Sequence, residues 1–570
     1  MLLSNLNLLA TAPDGVAKLR ELILTLAVQG KLLPQDPSDE PASELLKKIR
    51  AEKDRLIAEG KIKRDKPLAE IAEEEKPFEL PNGWVWVRLG DITNYGSPQK
   101  AGAIARETWV LDMEDIEKSS GRLVQRLRFA ERPALSDKNG FSKGDVLYGK
   151  LRPYLNKVLV ADEDGVCTTE IIPFRCHGDF EPHFFRLALS SPYFLDYVNA
   201  RSYGMKMPRL GTEDARNAAF PLPPLAEQSR IVTRVEELMR LCDALSDKAR
   251  LEATQHAQLV ATLLGTLTAA SGAGAPDASA PTPGEPADPL HARWQRIAPH
   301  FDLLLDRPEA VDALEQTILQ LAVRGHLVPQ DPQDEPASAL LKKVRAEKDR
   351  LITEGKIKRD KPLPPIAEDE KPFDLPQGWE WVTMESLASQ ITDGAHHTPT
   401  YIAEGVPFLS VKDLSSGFIN FSDTRFISEQ AHQDLAKRCN PEVGDVLLTK
   451  IGTTGIAVVV DTPRPFSLFV SVALIKLPSV SVDRDFLSLV INSPFVRQQS
   501  EDGTEGVGNK NLVLRKIKAF QIPIPPLAEQ SRIVARVASL RALCADLRQR
   551  LTNARTQQAL LAQALVENVI

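Results

Sequence analysis

Cysteine is scarce in this chain: Cys167, Cys176, Cys242, Cys439 and Cys544 are scattered over 570 residues, with no Cys-x-x-Cys pair. That excludes a disulfide scaffold and a cysteine-based zinc site, and it fits a reducing cytoplasm. Long apolar runs are missing too. None approaches the roughly 18 residues needed to cross a bilayer, so no membrane-spanning role is expected. Surplus positive charge is also lacking, because 70 Lys+Arg against 77 Asp+Glu leave a net charge of -7. Nucleic-acid binding by bulk charge is thereby excluded, and any such site must be local.

Catalytic motifs are equally thin. No Gly-Lys pair is followed by Ser or Thr, which removes the phosphate-cradling loop of a P-loop NTPase. No Gly-x-Gly-x-x-Gly follows a strand pattern, and no Asn-Pro-Pro or Asp-Pro-Pro precedes an aromatic residue, the signature expected of an amino-methyltransferase. The nine histidines include one adjacent pair, His396 and His397, and no spacing suited to metal ligands. That pair reads as loop surface. No catalytic residue, cofactor site or metal site is assigned, and the chain is not expected to be an enzyme.

What is present is a duplication. Residues 41–80 recur at 336–375 with 33 of 40 positions identical, clearest in PASELLKKIRAEKDRLIAEGKIKRDKPL against PASALLKKVRAEKDRLITEGKIKRDKPL. The match runs backwards: Leu6, Leu8, Leu9, Pro13, Val16 and Leu19 correspond to Phe301, Leu303, Leu304, Pro308, Val311 and Leu314. The apolar opening that resembles a secretory leader therefore has a mid-chain counterpart and belongs to the fold. A second block, PLPPLAEQSRIVTR at 221–234, returns as PIPPLAEQSRIVAR at 523–536. Between the blocks lie inserts, about 87–220 and 382–522, alike only in short islands such as Gly144-Asp145-Val146-Leu147 and Gly444-Asp445-Val446-Leu447. Scaffold is duplicated while inserts have diverged. The halves are joined by 269–289, almost entirely Ala, Gly, Ser, Pro and Thr, a linker composition.

After each Pro-Pro the spacing predicts a helix of about 43 residues with a coiled-coil seam at Ile231, Val235, Leu238, Cys242 and Leu245, repeated at Ile533, Val537, Leu540, Cys544 and Leu547. Proline ahead and Glu227 or Glu529 in the first turn are helix-start signals. Cys242 and Cys544 read as small core residues. A second stripe, Val16, Leu19, Leu22, Ile23 and Leu26, ends near Gly30 and can cover the long helix. A third helix, Pro41 to Glu59, is charged around Leu45, Ile49 and Leu56, as a solvated face would be. The inserts show short β-rich runs (145–147, 157–160, 443–449 and 456–460) broken by Gly, Pro and Asp, as α/β or α+β globules. Each opens on Gly-Trp-x-Trp, with Trp84 and Trp86 or Trp379 and Trp381 read as packing anchors.

Both inserts are nearly neutral, but their charge is uneven. Arg201, Lys206 and Arg209 lie in an acid-free stretch before the first long helix; Lys510, Arg515 and Lys516 lie in another before the second, beside Asn509. Lys150, Arg152, Tyr154 and Lys157 add a cluster after the first Gly-Asp-Val-Leu, and Lys450, Thr453 and Thr454 hold the equivalent place after the second. Polar, glycine-containing, locally cationic loops suit phosphates and base edges, and these fourteen residues are the candidate DNA contacts.

The order of helical block, variable insert and Pro-Pro-Leu-Ala-Glu-Gln-Ser-Arg-Ile-Val helix, with Leu-Val-Pro-Gln-Asp-Pro at 327–332 and its variant at 32–37, resembles the DNA specificity subunit of Type I restriction-modification systems over nearly the whole chain. The resemblance implies an α+β chain: two α/β target-recognition domains separated by long antiparallel coiled-coil helices, with pseudo-twofold symmetry from the duplication. Its boundaries would be a helical region at 1–80, a first recognition domain at 81–222, a long helix at 223–268, the linker at 269–295, a second helical region at 296–375, a second recognition domain at 376–524 and a last helix at 525–570. It further implies that each domain reads half of a bipartite, asymmetric site on double-stranded DNA. Two methyltransferase (modification) subunits and the restriction subunits would be partners, and S-adenosylmethionine, ATP and Mg would act there, not on this chain. A coiled-coil adaptor whose inserts bind protein is the alternative; a self-contained methyltransferase-nuclease is disfavoured by the missing motifs.

Overall fold

The computed structural model describes residues 6–567 except 63, 65, 96, 134, 135, 205, 269–288, 360–362, 365 and 507–509. It divides into two units, residues 1–252 with 555–570, and residues 253–554. The linker lies outside the described residues as far as 288. From Pro289 the chain is helical to Ile297, so the helix starts inside the stretch 269–295 given to the linker and runs past its end. Proline at the first helical position and apolar residues at Leu290, Trp294 and Ile297 account for this earlier start.

Helices Leu6–Thr11 and Gly15–Val28 open the first unit. Leu9, within the leader-like stretch, is fully buried in one cluster with Leu22, Ala562 and Val566. In the second unit Phe301–Leu304 and Pro308–Val323 take the same place, and Leu304 and Ala310 are buried with Val260, Leu264 and Leu267. The charged helix is Ala42–Ala58 in one unit and Ala337–Thr353 in the other. Each buries only three side chains, Ala42, Leu45 and Ile49 in the first copy.

The long helices are Leu225–Thr268 and Leu527–Glu567. At 1.5 Å per residue the first is about 65 Å long. Ile231, Val235 and Cys242 are buried, as are Ile533, Val537 and Cys544; Leu238, Leu245, Leu540 and Leu547 are half-buried. The helix carrying the second stripe covers the seam, as its spacing suggests. Ile23, Ala27 and Val28 share the cluster of Ile231 and Val235, and Arg20 Nη2 reaches Asp243 Oδ1 at 2.5 Å. In the second unit Arg548 Nη2 meets Asp312 Oδ1 at 2.7 Å beside the buried Ile318 and Leu319.

The Leu-Ala-Glu-Gln-Ser-Arg motif ties each long helix to its insert. Trp84 Nε1 donates to Glu227 Oε2 at 2.9 Å, and Trp379 Nε1 to Glu529 Oε2 at 3.0 Å. Gln228 Nε2 donates to the Pro223 carbonyl at 3.1 Å while its oxygen accepts the Glu181 N–H at 3.0 Å. Gln530 repeats both bonds with Pro525 and Asp483, at 2.9 and 2.8 Å. Arg230 pairs with Asp39, and Arg532 with Asp334 at 2.6 Å. Trp86 and Trp381 are packing anchors, with ring centroids 5.0 Å from Phe78 and 4.9 Å from Phe373.

Each insert is closed by its first and last strands pairing antiparallel, Val85–Arg88 with Ala219–Leu222 and Glu380–Thr383 with Gln521–Ile524. Inside lies a four-stranded antiparallel sheet common to both. Its order is Thr93–Asn94, Ile171–Cys176, Val146–Gly149, Val158–Val160 in the first unit, and Gln390–Asp393, Val472–Lys476, Val446–Thr449, Ala457–Val459 in the second. The Gly-Asp-Val-Leu islands open the third strand of each. Gly144 and Gly444 have φ of +90° and +91°, and Asp145 and Asp445 accept the N–H of Ser142 and Glu442 at 2.8 Å, fixing the turn. The remaining sheets differ. The first insert adds a five-stranded sheet, Ser97–Gln99, Lys138–Phe141, Gly165–Cys167, Trp109–Leu111 and Leu127–Arg128; the second adds a three-stranded sheet, Arg425–Ile427, Val406–Leu409 and Ser467–Leu468, and a two-stranded one, Thr504–Glu505 with Asn511–Leu512. Among the described residues no helix is long and apolar enough to cross a membrane.

Candidate nucleic-acid interface

The shared sheet brings together, in both units, the basic segments that the sequence keeps apart. In the first, strand Val146–Gly149 runs out into Lys150, whose N–H donates to the Glu170 carbonyl at 2.9 Å and whose carbonyl accepts the Leu210 N–H at 3.0 Å. Leu151 bridges Arg209, and the Arg152 N–H donates to the Pro208 carbonyl at 2.7 Å. Tyr203 and Arg209 exchange two backbone hydrogen bonds, of 3.1 and 2.9 Å, across a turn in which Gly204 takes φ +101°. In the second unit Ile451 bridges Asn511, Gly452 N–H donates to the Lys510 carbonyl at 3.2 Å, and Leu512 N–H to the Lys450 carbonyl at 2.7 Å. One crossing of two loops at the end of one sheet strand is thus made twice, from different residues.

The side chains divide into those facing solvent and those held inside the fold. Arg152, Tyr154, Arg201 and Lys206 are exposed, and Lys150 is half-buried. Arg201 lies over the Tyr197 ring at 5.7 Å. Arg209 is paired with Glu170 at 3.1 Å, and that hydrogen bond raises its pKa. Lys157 Nζ donates to the Met113 carbonyl at 2.6 Å, so its ammonium is engaged by backbone. In the second unit Thr453, Lys510, Arg515 and Lys516 are exposed and Thr454 is half-buried. Arg515 sits 3.7 Å from Glu505. Asn509 lies outside the described residues. Lys450 departs from the expectation: it is 4% exposed, with Nζ 3.2 Å from Asp393 Oδ2. Burial and an internal carboxylate hold its ammonium away from solvent, and it cannot act as a surface contact in this conformation.

Sequence reasoning missed three features. Tyr203, 61% exposed, and Met207 stand on the crossing loops. Neither carries charge, and each lies between the cationic residues that mark this stretch in the sequence. Asp393, at the end of its strand, gathers Arg438 Nη2, His396 Nε2 at 3.0 Å and Lys450 Nζ. His396 is exposed, as loop surface should be, and its bond to Asp393 is local, but the cluster they form needs Arg438 and Lys450, 45 and 57 positions from Asp393 along the chain.

Burial raises the pKa of all five cysteine thiols, with Cys439 pushed up to about 12. Among the described residues no group of three His, Cys, Asp or Glu could hold a metal ion.

The family model described as Type I restriction modification DNA specificity domain matches this chain twice, at 81–255 and 376–554. The Type I restriction enzyme EcoAI specificity subunit of Escherichia coli is 37% identical over 98% of this chain and 94% of its own length. The EcoEI specificity subunit of Escherichia coli is 36% identical over 97% and 93%. A solved chain from a study of complex assembly and conformational transition in the type I R-M system superposes with a TM-score of 0.50 at 20% identity, covering 86% of this chain and 98% of that one. That likeness concerns the fold.

Proposed function

Because this chain belongs to the Type I restriction-modification DNA specificity family, we propose that it is the sequence-recognition subunit of such a complex, each insert reading one half of a bipartite, asymmetric site on double-stranded DNA. The observation that carries this reading is the repeated loop crossing: the same strand end presents Arg152 and Lys206 in one unit, and Lys510, Arg515 and Lys516 in the other. A shared frame with unlike side chains is what two unlike half-sites require. Base edges supply discrimination, about 1 to 3 kcal/mol for each good bidentate pair. Phosphates fix register.

In this reading the long helices act as an antiparallel coiled-coil spacer that sets the distance between half-sites, and the duplicated helical regions give pseudo-twofold surfaces to two methyltransferase subunits. The domain limits given above serve as working boundaries. Catalysis belongs to the partners, with S-adenosylmethionine on the modification subunits and ATP with Mg on the restriction subunits, all in the cytoplasm. Near-neutral inserts lack the charge for tight binding alone, so phosphate contacts are shared with the partners. No observation favours the adaptor alternative.

Exchanging residues 85–222 for the corresponding insert of a relative, followed by single-molecule methylome sequencing of the host, tests the reading. One half of the methylated motif should change while the other half and the spacer persist. An unchanged motif, or change in both halves, overturns it.

A further inference from the structure

The Asp393 cluster carries more than a structural ion pair. Asp393 is 2% exposed, and its Oδ1 accepts from both Arg438 Nη2 and His396 Nε2 while Oδ2 faces Lys450 Nζ. Arg438 Nη1 also donates to the Gly394 carbonyl at 3.3 Å, and the Arg438 carbonyl accepts from Gln390 Nε2 at 3.2 Å. The guanidinium is thus held by both terminal nitrogens, on Gly394 and Asp393, yet the Arg438 side chain is 52% exposed and that of His396 61% exposed. One carboxylate faces two permanent cations, leaving a net positive charge even with a neutral imidazole. The cluster is continuous with the loop crossing, since Lys450 joins both: its side chain meets Asp393 and its carbonyl accepts from Leu512.

Among the described residues the first unit shows no copy of this device. Strand register places Glu170 where the second unit has Ser471, each carbonyl accepting the N–H of the lysine that follows the third strand. There Glu170 holds Arg209 directly, at the crossing itself.

Building on the reading of the inserts as DNA-recognition domains, we propose that Arg438 and His396 form a phosphate-binding fork of the second domain, aimed by Asp393 and Lys450, which touches the DNA backbone and not base edges. Both terminal nitrogens of Arg438 already hold a protein oxygen, and Nη2 also lies 3.3 Å from His396 Nε2, so fewer of the five N–H groups are left for a paired contact with a guanine edge. The remaining N–H groups and the net charge suit phosphate oxygens, for which charge-assisted hydrogen bonds need no base identity.

The test uses the complex of the full chain with its methyltransferase subunits and a DNA duplex carrying the site methylated in the host. Binding is measured over a series of salt concentrations for wild type, R438Q, R438K and H396A, with thermal melting as a fold control. R438Q should weaken binding several-fold on the intended site and on single-base variants alike, and should reduce the slope of log K against log salt by about one. R438K should restore most of the slope, and H396A should weaken binding less. Wild-type slope and affinity in R438Q overturn the proposal. So does a loss confined to one base position with slope unchanged, which would make Arg438 a base reader. Failure of the wild-type complex to prefer its methylated site would instead sink the recognition reading, a separate outcome.

Discussion

Trp84 donates its indole N–H to the Glu227 carboxylate at 2.9 Å, both residues buried and 143 positions apart, so the first strand of the insert is fastened to the first turn of the long helix. Burial raises the pKa of Glu227 above its ordinary 4.5, as it does for Glu529. Between the ordinary and the raised value the folded chain keeps a proton that the unfolded chain has lost. Stability from this group therefore falls as pH rises through that window and stays lower above it. E227Q removes the buried charge and keeps an acceptor for Trp84; it should be at least as stable as wild type at pH 8 and should flatten the pH dependence. E227A leaves the indole N–H unpaired and should cost about 1 to 3 kcal/mol. Urea unfolding at several pH values separates the two, and an E227Q chain as unstable as E227A would contradict the buried-charge argument.

Two glycines with the same backbone twist should respond differently to alanine. Gly30 has φ +69°, and a Cβ there would stand 2.4 Å from Pro81 Cγ and 3.0 Å from Trp84 Cζ2. Gly60 has φ +71° with nothing within 4 Å. G60A should cost about 1 to 2 kcal/mol, the strain of a left-handed residue alone. G30A adds overlap with the ring that fastens the insert, and should melt at a clearly lower temperature. Equal melting temperatures would mean that Pro81 and Trp84 do not close over Gly30.

Local pattern made much of this legible. The long helices and the burial of Cys242 and Cys544 follow from spacing decided within a few turns of chain, and the duplication from direct identity between distant segments. The islands around Asp145 and Asp445 marked true strand starts. What stayed hidden depends on pairs far apart. Arg152 and Arg209 read as separate patches until Leu151 and Arg209 are seen to bridge. Lys450 looks like Lys150 in sequence, yet Asp393, 57 positions earlier, draws only the former inside.

Arg152 and Lys157 test whether exposure or charge marks a DNA contact. Arg152 is exposed at the crossing, whereas Lys157 is bonded to the Met113 carbonyl. R152A should leave melting unchanged and lower the salt slope of the methyltransferase complex on its site by about one. K157A should cost about 1.5 to 3 kcal/mol of stability, the range for a hydrogen bond to a charged group, and leave the slope alone. The opposite pattern would place the interface on the Lys157 side of the loop.

Lys450 carries the sharpest contrast between sequence and structure. Its ammonium and the Asp393 carboxylate are both almost wholly buried, and breaking such a pair from one side is strongly destabilising, about 3 to 5 kcal/mol where no other partner remains. In K450M, Asp393 still has Arg438 and His396, so the loss should fall at or below the lower end of that range. D393N strands the ammonium with no carboxylate within the cluster, and should be the worse of the two. The double variant D393N/K450M removes both buried charges and should recover stability relative to D393N, giving a coupling energy of about 1 to 3 kcal/mol in the cycle. Because its buried ammonium meets Asp393 and not phosphate, K450M should lower the slope of DNA affinity against salt by clearly less than R438Q does, through the net charge of the cluster alone. A K450M complex that melts like wild type but loses about one unit of slope would return Lys450 to the DNA surface and remove it from the core.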